Sequence, residues 1–298
     1  MPLSTTNLDV RRGTTGVVLP ETVLGTVLQN IQENSFVMQV AQNMTIPGTG
    51  VKMNVITGDP EPEWVDETNE KAVSTPTFTN KTMTPYKMAV IVPFSNEFRR
   101  DADTLYSAVV ERVPLALAKK FDQTVFFGEA PGANFDTLAS VDAVDIQADT
   151  YDTLVSAVTD ITVNYGTPNA FVFAPQASNI LLGTKDAQER PLFIQNVNTT
   201  GSVGQILGIP AYYRHAAYKA GSSAANTMGF LGDWSNAYVG MVQNVTVKYS
   251  GEATINDGTN TINLWQRNMF ALLCEMEVGF IVKDANNYVR LTDTYSAG

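Results

Sequence analysis

Residues able to move protons, attack carbonyls or hold metals are scarce in this chain. Among 298 residues there is one histidine and one cysteine. His215 stands alone in YYRHAAY, so no HExxH zinc pair can form, and it reads as a strand-end residue with its ring half buried. Cys274 lies in the apolar run FALLC, where a free thiol is a small buried hydrophobe. It has no second thiol to pair with. Gly201, Gly204 and Gly208 are spaced GxxGxxxG rather than GxGxxG, so no dinucleotide fingerprint results. GxxxxGK[ST] and GxSxG are absent as well. Asp142, Asp145 and Asp149 occupy a polar stretch and read as solvated acids, not metal ligands. Sequons such as Asn80-Lys81-Thr82 mean little without a secretory signal. Carboxylate-only catalysis remains as an enzyme reading, and it would need paired acids of raised pKa in a pocket. No cofactor and no metal is expected.

The balance of charge narrows the partners. Thirty acids against nineteen bases give a net charge of −11. Such a surface does not cling by default to nucleic acid or anionic lipid. Arg11-Arg12 and Arg99-Arg100 are isolated basic pairs, suited to salt bridges or a local phosphate contact rather than a nucleic-acid track. No apolar run approaches the ~20 residues of a membrane span. The first residues have no apolar signal-peptide segment. A hydrophobic content of 44% allows a real core.

The elements that must position these residues centre on Ser95–Gly128. Ser95 is a suitable N-cap, Asp101 and Asp103 sit early, and Gly128 is a stop. Phe98, Ala102, Leu105, Val109, Val113, Ala116 and Leu117 recur near the helical period. Pro114 should kink or interrupt this long helix. Upstream, residues 1–19 read as an extended arm, and Pro20-Glu21 opens a short amphipathic helix. From Phe36 the period falls to two, which predicts a strand. Val51–Thr57 and Tyr86–Pro93 are further strands. Between them Asp59–Pro85 is rich in Thr, Pro and acid, and its few large apolar residues include Trp64, Val65, Val73 and Phe78. It is too long for an ordinary connection and reads as a long hairpin. A lone two-stranded hairpin is marginal in water, so it should lie on another copy of the chain.

Downstream, Gly128–Ser140 is linker-like, and an α/β module of ~120 residues follows. It has helices at Thr150–Tyr165 and Pro175–Lys185 and strands at Asn169–Ala174, Ala211–Arg214, Met228–Leu231 and Ala237–Gln243. Val245–Tyr249, Ala253–Ile255, Asn263–Glu277, Val278–Lys283 and Tyr288–Leu291 are returning strands, with a hairpin turn at Asn256-Asp257-Gly258.

This order of parts resembles the major capsid proteins of tailed phages with the Hong Kong 97 fold. The resemblance runs from PETVLGTVLQNI through EWVDE (Glu63–Glu67), KMAVIVPFSNEFRRDAD and FDQTVFFGEAPG to NVTVKYS and NMFALLCEMEVGFIVKDANNYVRLT. It implies an α+β capsid fold with an N-terminal arm, an extended β-hairpin loop, a peripheral domain with a long spine helix, and an α/β axial domain. On this pattern 1–35 is the arm, 36–128 the first part of the peripheral domain, 129–243 the axial domain and 244–298 the return strands. The extended loop is 46–93 and the spine is 95–128.

The implied function is an icosahedral head shell around double-stranded DNA, a virion component assembled in the bacterial host cytoplasm. Implied partners are copies of itself in pentamers and hexamers, a portal, decoration proteins and DNA held without sequence-specific contacts. No membrane is involved. Only 19 residues precede the first helix, so a separate scaffolding protein is expected. A bent spine at Pro114 would set subunit curvature. Trp64, Glu67, Lys71 and Phe78 fall on the inter-subunit loop. Some members cross-link an extended-loop Lys to a peripheral-domain Asn, assisted by a Glu. The matching positions are Lys71, Asn268 and Glu275. The alternatives are an encapsulin-like compartment holding a cargo enzyme, and a carboxylate-dependent enzyme on the α/β module.

Overall fold

The computed structural model describes residues 35–58, 60–67, 69–71, 73–97, 103–185, 204–221, 225–256, 258 and 260–293, with the backbone alone at 56–58, 103–111 and 243–245. The expected helix at Pro20–Ile31 and the basic pairs Arg11-Arg12 and Arg99-Arg100 lie outside the described residues.

The first described element departs from expectation. Phe36–Val40 is a helix, α1, and not a strand. Phe36, Val37 and Met38 are all buried, so their alternation separates no polar face from an apolar one. Ser35 caps the helix, its hydroxyl accepting from the Met38 N–H at 3.2 Å. Asp122 completes the cap from far along the chain. It accepts from the Ser35 hydroxyl at 2.6 Å and from the Phe36 and Val37 amides at 2.9 and 3.4 Å. Burial pushes the Asp122 carboxyl up to about 6, against the opposing pull of these hydrogen bonds and of Arg214.

Strands β1 (Gln42–Thr45), β2 (Val51–Gly58), β3 (Thr77–Met83) and β4 (Tyr86–Ser95) follow. The spine helix α2 is described over Asp103–Phe127 and runs unbroken through Pro114. The interruption expected there does not occur, although the ring removes one backbone hydrogen bond. The Gly128 N–H bonds the Thr124 carbonyl and closes the last turn.

Two larger sheets carry most of the remaining chain. Six strands run in the order β5 (Ala143–Asp145), β14 (Tyr288–Thr292), β9 (Thr227–Gly232), β6 (Ala170–Phe173), β8 (Ile209–Tyr213) and β7 (Gly204–Ile206). Helices α3 (Thr150–Val163) and α4 (Ala177–Gly183) pack into the core of this sheet through Leu154, Ala157, Ile161, Ala177 and Leu181. Strand β14 thus pairs with β9 and β5, so the last of the expected return strands joins this sheet.

The second sheet has the order β1, β10 (Ala237–Ser250), β13 (Met269–Val282), β4. Each of β10 and β13 is one long strand where the sequence suggested two pieces; register shifts near Gln243 absorb the irregularity in β10. A small hairpin, β11 (Thr254–Asn256) and β12 (Thr261–Asn263), stands beside it. Cys274, Met276, Val278 and Phe280 project from β13 to the face covered by Leu117, Ala118, Phe121 and Val125 of α2. Cys274 is buried there as expected, and burial pushes its thiol up to about 11. Phe36, Phe126 and Tyr288 surround Trp234, with Phe230 stacked on Phe126, and the indole N–H donates to the Ala170 carbonyl at 3.0 Å. That cluster joins α1, the spine and the six-stranded sheet.

Candidate inter-subunit interface

The opposite face of the four-stranded sheet carries the hairpin. Gly240 of β10 and Gly279 of β13 are direct cross-strand partners. A Cβ on Gly240 would lie 2.6 Å from Ile46 Cδ1, and one on Gly279 would lie 2.8 Å from Met83 Cγ. The glycine pair therefore forms a dimple that receives Ile46 and Met83, with Ile281 closing the cluster. A polar clamp fixes the same root. Lys81 Nζ donates to the Val282 carbonyl at 2.7 Å and pairs with Asp136 Oδ2 at 3.2 Å. That carboxylate oxygen also accepts the Val282 N–H at 3.0 Å.

From this root β2 and β3 run out as an antiparallel pair, with Val51 opposite Met83 and Ile56 opposite Phe78. Beyond them the chain is exposed. Trp64 is 105% exposed, Val73 91% and Phe78 63%. Glu67 and Lys71 are exposed as well. Leaving an indole in water forfeits about 2–3 kcal/mol of burial free energy. Several such side chains on one projection mark a surface made for contact. The loop residues singled out from sequence, Trp64, Glu67, Lys71 and Phe78, thus share one projecting hairpin.

The cross-linking residues are not brought together within one chain. Asn268 lies at the entry to β13, in a left-handed conformation with φ of 54°. Its Oδ1 accepts from Asn96 Nδ2 at 3.0 Å, and it borders a cavity of about 540 Å³ with Tyr249, Trp265 and Met269. Glu275 lies seven residues further along an extended strand, roughly 23 Å away. It sits between Lys248 at 3.2 Å and Lys87 at 4.0 Å, rather than in an apolar pocket. Lys71 has no described contact with either.

His215 is exposed on a short 3₁₀ turn after β8, not half buried on a strand end, because Ala216 and Ala217 fill the inward positions. Among the described residues no group of three His, Cys, Asp or Glu side chains could hold a metal. A polar cleft of about 620 Å³ lies between α3 and α4, with Asp149, Asp152 and Lys185 on its wall. The acid that burial shifts upward, Asp122, is sealed in the core elsewhere. No described helix is long and apolar enough to cross a membrane.

Sequence reading missed Lys81, Asp136, Gly240 and Gly279. The clamp joins residues 55 and 201 positions apart, and the dimple becomes visible only once the β10–β13 register is known.

Comparison with known proteins agrees with this architecture. Residues 15–293 match the phage capsid family. A probable major capsid protein of Mycobacterium phage D29 is 28% identical over 282 residues, covering 90% of this chain and 87% of the relative. A chain from Mycobacterium phage Adephagia superposes with a TM-score of 0.73 at 22% identity, covering 89% of this chain and 92% of the other. The capsid chain of an empty GTA particle with C5 symmetry superposes with a TM-score of 0.65 at 14% identity, over 88% and 97% of the two chains. The fold is α+β of the Hong Kong 97 type, and the chain belongs to the phage capsid family, whose members build viral shells from many copies of one subunit.

Proposed function

We propose that this chain forms the icosahedral head shell of a tailed phage as pentamers and hexamers, with its hairpin laid over a neighbouring copy. It acts as a structural protein and not as an enzyme. The observation that carries this reading is the rooted hairpin: Met83 and Lys81 hold its base, while Trp64, Val73 and Phe78 are exposed among the described residues. The remaining parts of the assembly are a portal, a separate scaffolding protein, decoration proteins and enclosed double-stranded DNA, all meeting in the host cytoplasm. The six-stranded sheet with α3 and α4, which takes in the returning strand β14, serves as the axial domain, and the four-stranded sheet with the spine, which takes in β10 from Ala237, serves as the peripheral domain. Negative-stain electron microscopy of the expressed chain tests the proposal. Closed shells are expected; a stable monomer at high concentration overturns it.

We also propose that Lys71 of one copy bonds Asn268 of a second. Lys71 Nζ attacks Asn268 Cγ, the new C–N bond forms and ammonia leaves, with a Glu275 carboxylate relaying the proton. Because Asn268 and Glu275 are far apart along β13, the assisting Glu275 must come from a further copy. Mature shells boiled in SDS should run as ladders, with 17 Da lost per link. A single monomer band rules the bond out.

A further inference from the structure

The two faces of the four-stranded slab differ in charge, and that difference assigns a ligand. On the hairpin side three lysines of the root and sheet are paired with acids. Lys81 pairs with Asp136, Lys87 with Glu277 at 3.3 Å, and Lys248 with Glu275. The loop itself carries six acids and one lysine between Asp59 and Lys71. On the other side α2 buries Leu117, Ala118, Phe121 and Val125 against the sheet and turns Arg112, Leu115, Ala116, Lys119 and Lys120 outward, all exposed. Positions seven and eight apart fall on one helical stripe, so the three cations span roughly 11–12 Å. None makes an ion pair among the described residues. Asp122 points into the core, and Glu129 lies beyond the helix end.

We infer that this stripe of the spine helix is a lumen-facing contact for the phosphate backbone of the packaged nucleic acid. The inference rests on the shell reading above. A shell enclosing a polyanion has one face turned to it. The face with unpaired cations lowers the energy of that arrangement, while the acidic hairpin face raises it. Three contacts per copy, with no aromatic or base-reading group among them, give weak, sequence-independent and salt-sensitive binding, from which a genome can still depart.

Acetylation footprinting of intact heads tests this. DNA-filled heads and heads emptied of their genome are treated with a small amine-acetylating reagent and read by mass spectrometry. Lys119 and Lys120 should be protected several-fold in filled heads and lose protection on emptying, while Lys87 and Lys248 react equally in both. Equal reactivity of Lys119 and Lys120 in the two particles overturns the assignment. Protection that persists after emptying also overturns it, and places a protein on the stripe instead. Failure to form heads at all would count against the shell reading rather than the stripe.

A second measurement uses capsomers and a labelled 30-bp duplex. Three phosphate contacts from a single copy predict a loss of affinity of about 40-fold between 50 and 200 mM salt, and a larger loss where the duplex spans several copies of a capsomer. The R112Q/K119Q/K120Q variant should lose most of that dependence. An unchanged salt slope in this variant refutes the inference.

Discussion

Trp64 and Trp234 are the same residue type under opposite conditions. Trp234 is fully buried, donates its indole N–H to Ala170 and meets Phe36, Phe126 and Tyr288 at ring distances of 5.1–6.2 Å. Trp64 is fully exposed. The first is explained by the single chain and the second is not. The core region therefore has to be judged by the stability of the subunit, and the hairpin by what copies do together. Effects on one should leave the other unmoved if the division is real.

The largest test of that division is Trp234→Ala. Removing a large buried aromatic costs about 3–5 kcal/mol. At roughly 2–4 °C per kcal/mol for chains of this size, the subunit's calorimetric Tm should fall by ~10 °C. Trp64→Ala should leave the subunit Tm unchanged and reduce the yield of closed shells. A Tm fall of similar size for Trp64→Ala would break the comparison.

Asp122 comes next in expected effect. Asp122→Ala leaves the Ser35 hydroxyl and the first amides of α1 without their acceptor, at a cost of about 1–3 kcal/mol. The pH dependence has a definite sign. Its native pKa, near 6, lies above the ordinary 3.8, so between these values the native state holds the extra proton. This group's stabilising contribution is fully present below about pH 4 and is lost as pH rises through 6. Asp122→Asn removes the titration. Urea midpoints should therefore shift in favour of the parent chain on going from pH 7 to pH 4, relative to the variant. Parallel pH profiles for the two chains would contradict the burial account.

How much of this was legible in the sequence depended on whether the deciding contacts were local. β2, β4, α3 and β6 were readable because their periodicity and turn residues sit within the segment. The exposure of the loop was also readable, since Trp64 and Val73 lie in a stretch too polar to fold on itself. α1 was misread because its helix is settled by Ser35 and by Asp122, 87 residues from the cap. Pro114 suggested an interruption that packing overrides: the proline is itself buried, with Leu117 and Phe121 below it on the core side. His215 was read as a half-buried strand-end residue, yet β8 ends at Tyr213 and the 3₁₀ turn that follows leaves it exposed. The charge of the spine stripe was available as Arg112, Lys119 and Lys120. Only the buried face of α2, fixed by tertiary packing, shows that all three point the same way.

The smallest expected effect falls on the hairpin root, where the two regions meet. Lys81 and Asp136 are each one-third exposed, so solvent screens their attraction and the pair contributes less than about 1 kcal/mol. Lys81→Met keeps the aliphatic stem and deletes the charge, so the subunit Tm should move by only a few degrees at most. The geometric effect is larger than the energetic one. Lys81 ties β3 to the end of β13 through the Val282 carbonyl, and Asp136 holds the Val282 amide, so the clamp fixes the direction in which β2 and β3 leave the sheet. Without it Ile46 and Met83 still fill the Gly240–Gly279 dimple and Thr84 still bonds Asn134, but the polar tie from β3 to the end of β13 is gone and the hairpin can pivot about the dimple. Shells of the Lys81→Met variant should form more slowly and with a broader size distribution by electron microscopy and light scattering, at nearly unchanged subunit stability. A variant that melts several degrees lower yet assembles normally would assign Lys81 to the core instead, and the boundary between the two regions would move outward along the hairpin.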